Sequence, residues 1–231
     1  MRAIDRYRKG QAAARSGRHD EALREYEWFH DHALEDERAL YGVRLSFALS
    51  DWVDLGKVYP PALLSLRSVR ETKSARLRAG DGSRELFHDV VAINESLGDP
   101  KSTYDLLVDI VEQRPDLAEN CASLAMRSIV HVGDFALARR FISDPERSIR
   151  SWARMLNEDV ADLAKEPPSE VPKLEAHVHN YAERVAVLLS VLRGVGEQSL
   201  ANSLNEQALS CIESPPVREA VSEALTKGPE A

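Results

Sequence analysis

The chain has 231 residues, 43% hydrophobic and 29% charged, with 11 Gly, 11 Pro and 6% aromatics, a composition that excludes disordered, collagen-like and membrane-embedded classes. Lys and Arg total 30 against 38 Asp and Glu, a net charge of −8, so a general nucleic-acid-coating role has no electrostatic footprint. The charge is uneven: residues 1 to 80 carry 15 basic and 12 acidic side chains, net +3, whereas residues 81 to 231 carry 15 and 26, net −11.

Apolar positions recur at three- and four-residue spacing along nearly the whole chain, and no segment shows sustained alternation. The pattern predicts an all-α protein. In chain order the predicted helices span 2–16, 19–34, 36–55, 60–78, 83–97, 101–113, 116–132, 134–142, 145–164, 170–194, 197–212 and 215–226, about 12 in all. Gly17, Gly56, Gly98, Gly133 and Gly196 follow apolar runs where a left-handed residue closes a last turn, and Asp20, Asp99, Asp134 and Asp144 stand where N-caps are wanted. Pro60-Pro61, Pro100, Pro115, Pro145 and Pro215-Pro216 fall in first turns, where a missing N–H costs nothing.

One joint reads as a linker. Pro167, Pro168 and Pro172 crowd the stretch from Lys165 to Pro172, and this divides the chain into a helical domain over 1–165, a Pro-rich linker over 166–172 and a C-terminal helical segment over 173–231 that packs on or caps the first. The segment from Ala79 to Ser83, with Gly80 and Gly82, is a second soft point. The N-terminus lacks the apolar core of a signal peptide, and no stretch approaches the roughly 18 apolar residues of a membrane span, so a cytoplasmic setting without a membrane partner is the expectation. Cys121 and Cys211 sit in partly apolar helical contexts without a CxxC pair, which reads as buried free thiols.

The clearest repeat signal runs from Gly10 to Tyr26, where Gly10, Ala13, Gly17, Ala22 and Tyr26 take the small, turn and aromatic positions of a helix pair. Gly10 and Ala22 allow a close crossing, and Tyr26 fills the gap beside it. Here the sequence resembles the tetratricopeptide-repeat family, most clearly over 3–34 and more weakly over 91–115, 125–142 and 189–208. It departs from the family at Arg6 and Lys9, where tryptophan and leucine are usual, and in the unequal spacing of the turn glycines. The resemblance implies an irregular antiparallel helical-pair solenoid, a tetratricopeptide-like superhelix, whose groove holds peptides or partner helices. Tyr7, Gln11 and Arg15 would then face the groove of the first pair, and Val43, Ser46 and Ser50 that of the next. The family's Lys and Asn carboxylate clamp has no counterpart here.

Two of three Trp and four of six Tyr lie within residues 7 to 59, a concentration of amphipathic aromatics. Trp28 and Phe47 read as core, while Trp52, flanked by Asp51 and Asp54, divides between core and a binding surface. On the helix from Pro60, Arg67, Arg70, Lys73 and Arg76 recur every three residues as a slowly winding basic stripe, either a docking surface for an acidic partner or a solvated face. His30 with His32, and His177 with His179, are two apart and point away from each other on a helix, so neither pair chelates one ion. No phosphate-binding glycine loop, nucleophile elbow, HExxH or paired-cysteine site is present, although Glu85, Asp89 and Glu112 could converge in space.

The expectation from these features is a non-catalytic protein-protein interaction module of bacterial type, an adaptor, scaffold or single-partner neutraliser such as an immunity-type protein, with no cofactor and no metal. Its partner would be another protein or peptide, an acidic one among the options, with nucleic acid disfavoured; Tyr7, Gln11, Arg15, Trp52, Arg67, Arg70, Lys73 and Arg76 are the candidate contact residues. The alternative is a helical enzyme or small-molecule sensor with a pocket between the N- and C-terminal segments.

Overall fold

The computed structural model describes residues 1–163, 165 and 173–227, and among these it is all-helical: thirteen α-helices, one 3-10 turn and no strand. The chain divides into two compact units, Met1–Ser128 and Ile129–Ala231. That division falls well before the proline-rich joint, and the expected linker at 166–172 lies outside the described residues.

In the first unit α1 (Ala3–Arg15) and α2 (His19–Asp36) form a hairpin closed by Gly17 at φ 74°. Small residues set their separation: Ala3, Ala13, Ala22 and Ala33 are fully buried, and a Cβ on Gly10 would come within 2.9 Å of the Tyr26 ring. The Tyr7 and Phe29 rings stack at 4.9 Å, and the Ala3 N–H donates to Asp36 Oδ2 at 2.6 Å, tying the open end. The spacing of Gly10, Gly17, Ala22 and Tyr26 thus has the local use the sequence suggested. Asp20 is a correction, because it lies inside α2 and accepts the Tyr59 hydroxyl rather than capping the helix.

The predicted helix over 36–55 is broken. A 3-10 turn (Arg38–Leu40) leads into the short α3 (Tyr41–Leu45), the backbone leaves the helical region at Ser46 (φ −124°, ψ −90°), and α4 (Phe47–Val58) begins afresh. In an unbroken helix Phe47, seven residues after the buried Leu40, would share its face. The break resets the phase, so that α4 buries Ala48, Leu49, Trp52, Leu55 and Gly56 while Phe47 turns out to solvent. Gly56 is accordingly no joint but a crossing point within α4, where a Cβ would stand 2.3 Å from Leu63 Cγ on α5 (Pro60–Arg78). Beyond it α6 (Arg84–Ser96), capped by Ser83, packs on α5, and α7 (Pro100–Gln113), capped by Asp99, packs on α5 and α6; α8 (Pro115–Val132) follows.

The second unit contains α9 (Phe135–Arg140), α10 (Pro145–Leu163), α11 (Lys173–Gly194), α12 (Gln198–Ser210) and α13 (Pro215–Lys227). Its centre is α11, which packs on each of the other four and buries Val178, Tyr181, Ala182, Val185, Leu188, Leu189, Val191 and Leu192. Burial of so many positions follows from a sequence apolar nearly all round from Val185 to Leu192. The buried Tyr181 hydroxyl is satisfied by donating to the Ala208 carbonyl at 2.8 Å. Asp134 and Asp144 cap α9 and α10 through the backbone N–H groups of Leu137 and Arg147.

Candidate functional site

The most unusual chemistry lies inside the first unit, where α2, α3, α5 and α6 bring charged groups together in the core. Arg44 of α3 is buried and donates through Nη1 to the His30 carbonyl oxygen (3.2 Å) and to Asp89 Oδ2 (3.1 Å), and through Nη2 to Asp89 Oδ1. Lys73 of α5 donates to the same Asp89 Oδ2 at 2.7 Å. The Tyr41 ring lies 5.7 Å from the guanidinium carbon, and its hydroxyl shares a 2.8 Å hydrogen bond with His88 Nδ1. His30 is buried against the edge of Trp52, with ring centroids 6.1 Å apart. Among the described residues neither ring nitrogen of His30, nor Arg44 Nε, finds a hydrogen-bond partner.

The local sequence explains this assembly. Arg44 stands between Val43 and Leu45, and Asp89 within Phe87 to Ile93, so each charge occupies a position whose neighbours are drawn into the interior. Once buried, each charge requires the other. Burial pushes the Asp89 carboxyl up, but its hydrogen bond and charge pairing with Arg44, together with Lys73, outweigh this and hold it below the usual carboxylate range. For His30 burial comes first and the charges of Arg44 and Lys73 add to it, pushing the ring down to about 3. His88, half-buried beside them, is lowered mainly by burial.

These directions predict acid sensitivity of the first unit. His30 in the unfolded chain takes up a proton near its ordinary 6.5, whereas the folded ring resists down to about 3, so stability is full above 6.5 and falls as pH is lowered through that window. Asp89 acts in the same sense at lower pH, its contribution present above the ordinary 3.8 and lost as pH falls through its depressed folded value. Denaturant unfolding at pH 7, 5.5 and 4.5, followed by tryptophan fluorescence, should show a progressive loss that His30→Leu flattens. An unchanged pH slope in that variant would contradict the assignment.

The candidate contact residues are distributed between core and surface. Tyr7 and Trp52 are corrections: Trp52 is 1% exposed with its indole N–H donating to the Ala62 carbonyl at 2.9 Å, and Tyr7 is buried with its hydroxyl on Asp51 Oδ2 at 2.5 Å. Gln11, half-buried, donates to the same Asp51 oxygen at 2.8 Å, and Arg15 is exposed. The basic stripe does not act as one surface, because steps of three residues turn about 60° at a time across the helix. Its middle members face inward: Arg70 pairs with Asp99 (2.8 Å) and Glu71, and Lys73 with Asp89. Charge reversal at either would therefore break folding contacts before it reported on a partner. Arg76 is exposed and pairs with Asp81 at 3.0 Å, and the neighbouring Arg78 with Asp109 at 2.7 Å. Arg67 alone of the stripe is exposed without an acidic partner among the described residues.

The outward-facing apolar residues were missed in the sequence. Phe47, Val58 and Leu64 are 69%, 67% and 64% exposed, and Phe47 and Val58, eleven residues apart, share one face of α4. Leu64 and Arg67 are three residues apart on the outer face of α5. Trp28, expected in the core, is half-buried under the Arg6 guanidinium at 4.0 Å. Of the carboxylates that could converge, only Asp89 is drawn inside, while Glu85 and Glu112 are exposed.

His30 is buried whereas His32 is on the surface beside Trp28 and Glu35, and His177 pairs with Asp159 at 2.9 Å. Among the described residues no three His, Cys, Asp or Glu side chains converge as metal ligands. Cys121 is buried, its thiol pushed up to about 11 by desolvation, and Cys211 is half-buried; both are free. The second unit carries two open grooves, one of about 460 Å³ between Arg150, Arg154, Asn157 and Cys211, and one of about 630 Å³ along Leu209, Pro215, Arg218 and Ser222. In the first, the Asn157 amide donates to the Cys211 carbonyl (2.9 Å) and accepts the Glu213 N–H (3.1 Å), which fixes the turn after α12. No helix among the described residues is long and apolar enough to cross a membrane. No family model, curated protein or solved structure matches the chain.

Proposed function

We propose that the chain is a non-catalytic protein-binding module, with tetratricopeptide-like helical pairing in its first unit, that holds an acidic, apolar segment of one partner protein. The observation that carries this reading is the set of large apolar side chains left exposed on α4 and α5. Phe47, Val58 and Leu64 stay exposed in a unit that buries Trp52, Phe29 and Phe87 completely, and Arg67 beside Leu64 lacks an acidic partner among the described residues. Large apolar groups with one uncompensated cation suit a partner that offers apolar side chains and a carboxylate. An adaptor, a scaffold or a single-partner neutraliser would each use such a face.

The test is affinity capture from native lysate at low and moderate salt with mass spectrometry, repeated with Phe47→Asp and Leu64→Asp. One protein of fixed stoichiometry is expected, with affinity reduced by roughly 30-fold or more in the double variant, as for an interface hot spot. Circular dichroism should be unchanged, since neither side chain contributes to the core. Absence of a stoichiometric partner, combined with turnover or a melting shift from a small molecule, would overturn this reading in favour of a ligand-binding protein.

A further inference from the structure

We propose that the buried centre formed by His30 and Arg44 is a binding site for a single small monovalent anion of chloride size. The argument starts from charge. Arg44 and Lys73 are cationic and, among the described residues, Asp89 is the one anion paired with them, which leaves an excess of one positive charge beside an imidazole that burial keeps neutral. Lys73 reaches toward the surface, with 16% of its side chain exposed, whereas Arg44 is 5% exposed. The excess belongs to the cluster as a whole, most of which is withheld from solvent.

Hydrogen bonding points to the same place. Arg44 Nη1 and Nη2 are used, but Nε–H is not, and the neutral His30 ring keeps an N–H donor without an acceptor. Both donors sit on residues in direct contact, since the guanidinium donates to the His30 backbone carbonyl. Buried donors beside an uncompensated cation call for an acceptor that brings a full negative charge. Water would take the hydrogen bonds and leave the charge; a sulfate or phosphate would overshoot it and requires more donors than two. A monatomic anion matches the charge, and the Trp52 indole packed edgewise against His30 provides the apolar wall such ions accept.

Two measurements on the full chain test this. Crystals grown in sodium bromide should show an anomalous peak within about 3.5 Å of Arg44 Nε and a His30 ring nitrogen. Thermal unfolding at pH 7 and constant ionic strength should show a saturable rise in midpoint when gluconate is exchanged for chloride, lost in His30→Leu and retained in His32→Leu. Bromide peaks confined to surface arginines, an adventitious ion only, would overturn the proposal. So would equal midpoints in the two salts, or a chloride shift that survives in His30→Leu. Should His30→Leu fail to fold, the bromide map of the natural chain decides alone. None of these outcomes depends on whether the exposed apolar residues of α4 and α5 bind a protein.

Discussion

Asp89→Ala should destabilise the first unit by about 3–5 kcal/mol, the loss expected when one member of a buried ion pair is removed and its partner is left charged in the interior. Asp89 is the carboxylate that answers both Arg44 and Lys73, and Arg44 is buried with two nitrogens committed to it. Removal leaves a buried guanidinium unpaired and a lysine that already reaches toward the surface. The informative comparison is Arg44→Met with Asp89→Leu, which takes both charges out of the core and retains volume. That double variant should lose much less than Asp89→Ala, with Lys73 turning outward along its methylene chain. Urea unfolding of the single and double variants measures the coupling. A loss below about 1 kcal/mol for Asp89→Ala would mean that the pair is solvated in solution and not part of the core.

Trp52→Ala is expected to cost a similar amount, about 3–5 kcal/mol, because it opens a cavity between α4 and α5 and removes the indole hydrogen bond to the Ala62 carbonyl. Trp52→Phe separates the two effects, as it retains most of the packing and loses only the hydrogen bond, so a cost of about 1–3 kcal/mol is expected. Phe47→Ala, five residues earlier, should fall within about 0.5 kcal/mol of the natural chain. Tryptophan fluorescence is unsuited to the Trp52 variants, so far-ultraviolet circular dichroism in urea is the measurement. Equal costs at Trp52 and Phe47 would contradict the phase of α4.

That contrast also marks where the sequence was legible. Helix ends were, because they depend on local chemistry: prolines at first turns, glycine at φ 74° after α1, and Asp99 and Asp134 accepting backbone N–H groups all act within four residues of their own position. The close crossing at Gly10 was legible for the same reason, since a small residue opposite an aromatic in an adjacent helix has few other uses. The break at Ser46 was not. No proline or paired glycine announces it, and periodicity over 36–55 is compatible with one helix until tertiary packing selects a different phase on each side.

The basic stripe on α5 shows the same limit for the candidate site. Spacing by three placed Arg67, Arg70, Lys73 and Arg76 on a winding line, but which of them meet acids depends on Asp89, Asp99 and Asp81, all brought in by the chain that follows. The core of charged groups around His30 was invisible for a related reason. Its members come from four helices and are separated by up to 59 positions, and a single sequence carries no record of which distant residues meet.

By itself the sequence determined that this protein is a chain of amphipathic helices, where most of them begin and end, and that its first hairpin closes tightly on small residues. The tertiary structure alone decided which face of α4 is buried, which cations are free, and that Arg44, Asp89 and His30 share one interior. The first set is fixed by interactions between near neighbours, whereas the second is fixed by burial, which belongs to the packed whole.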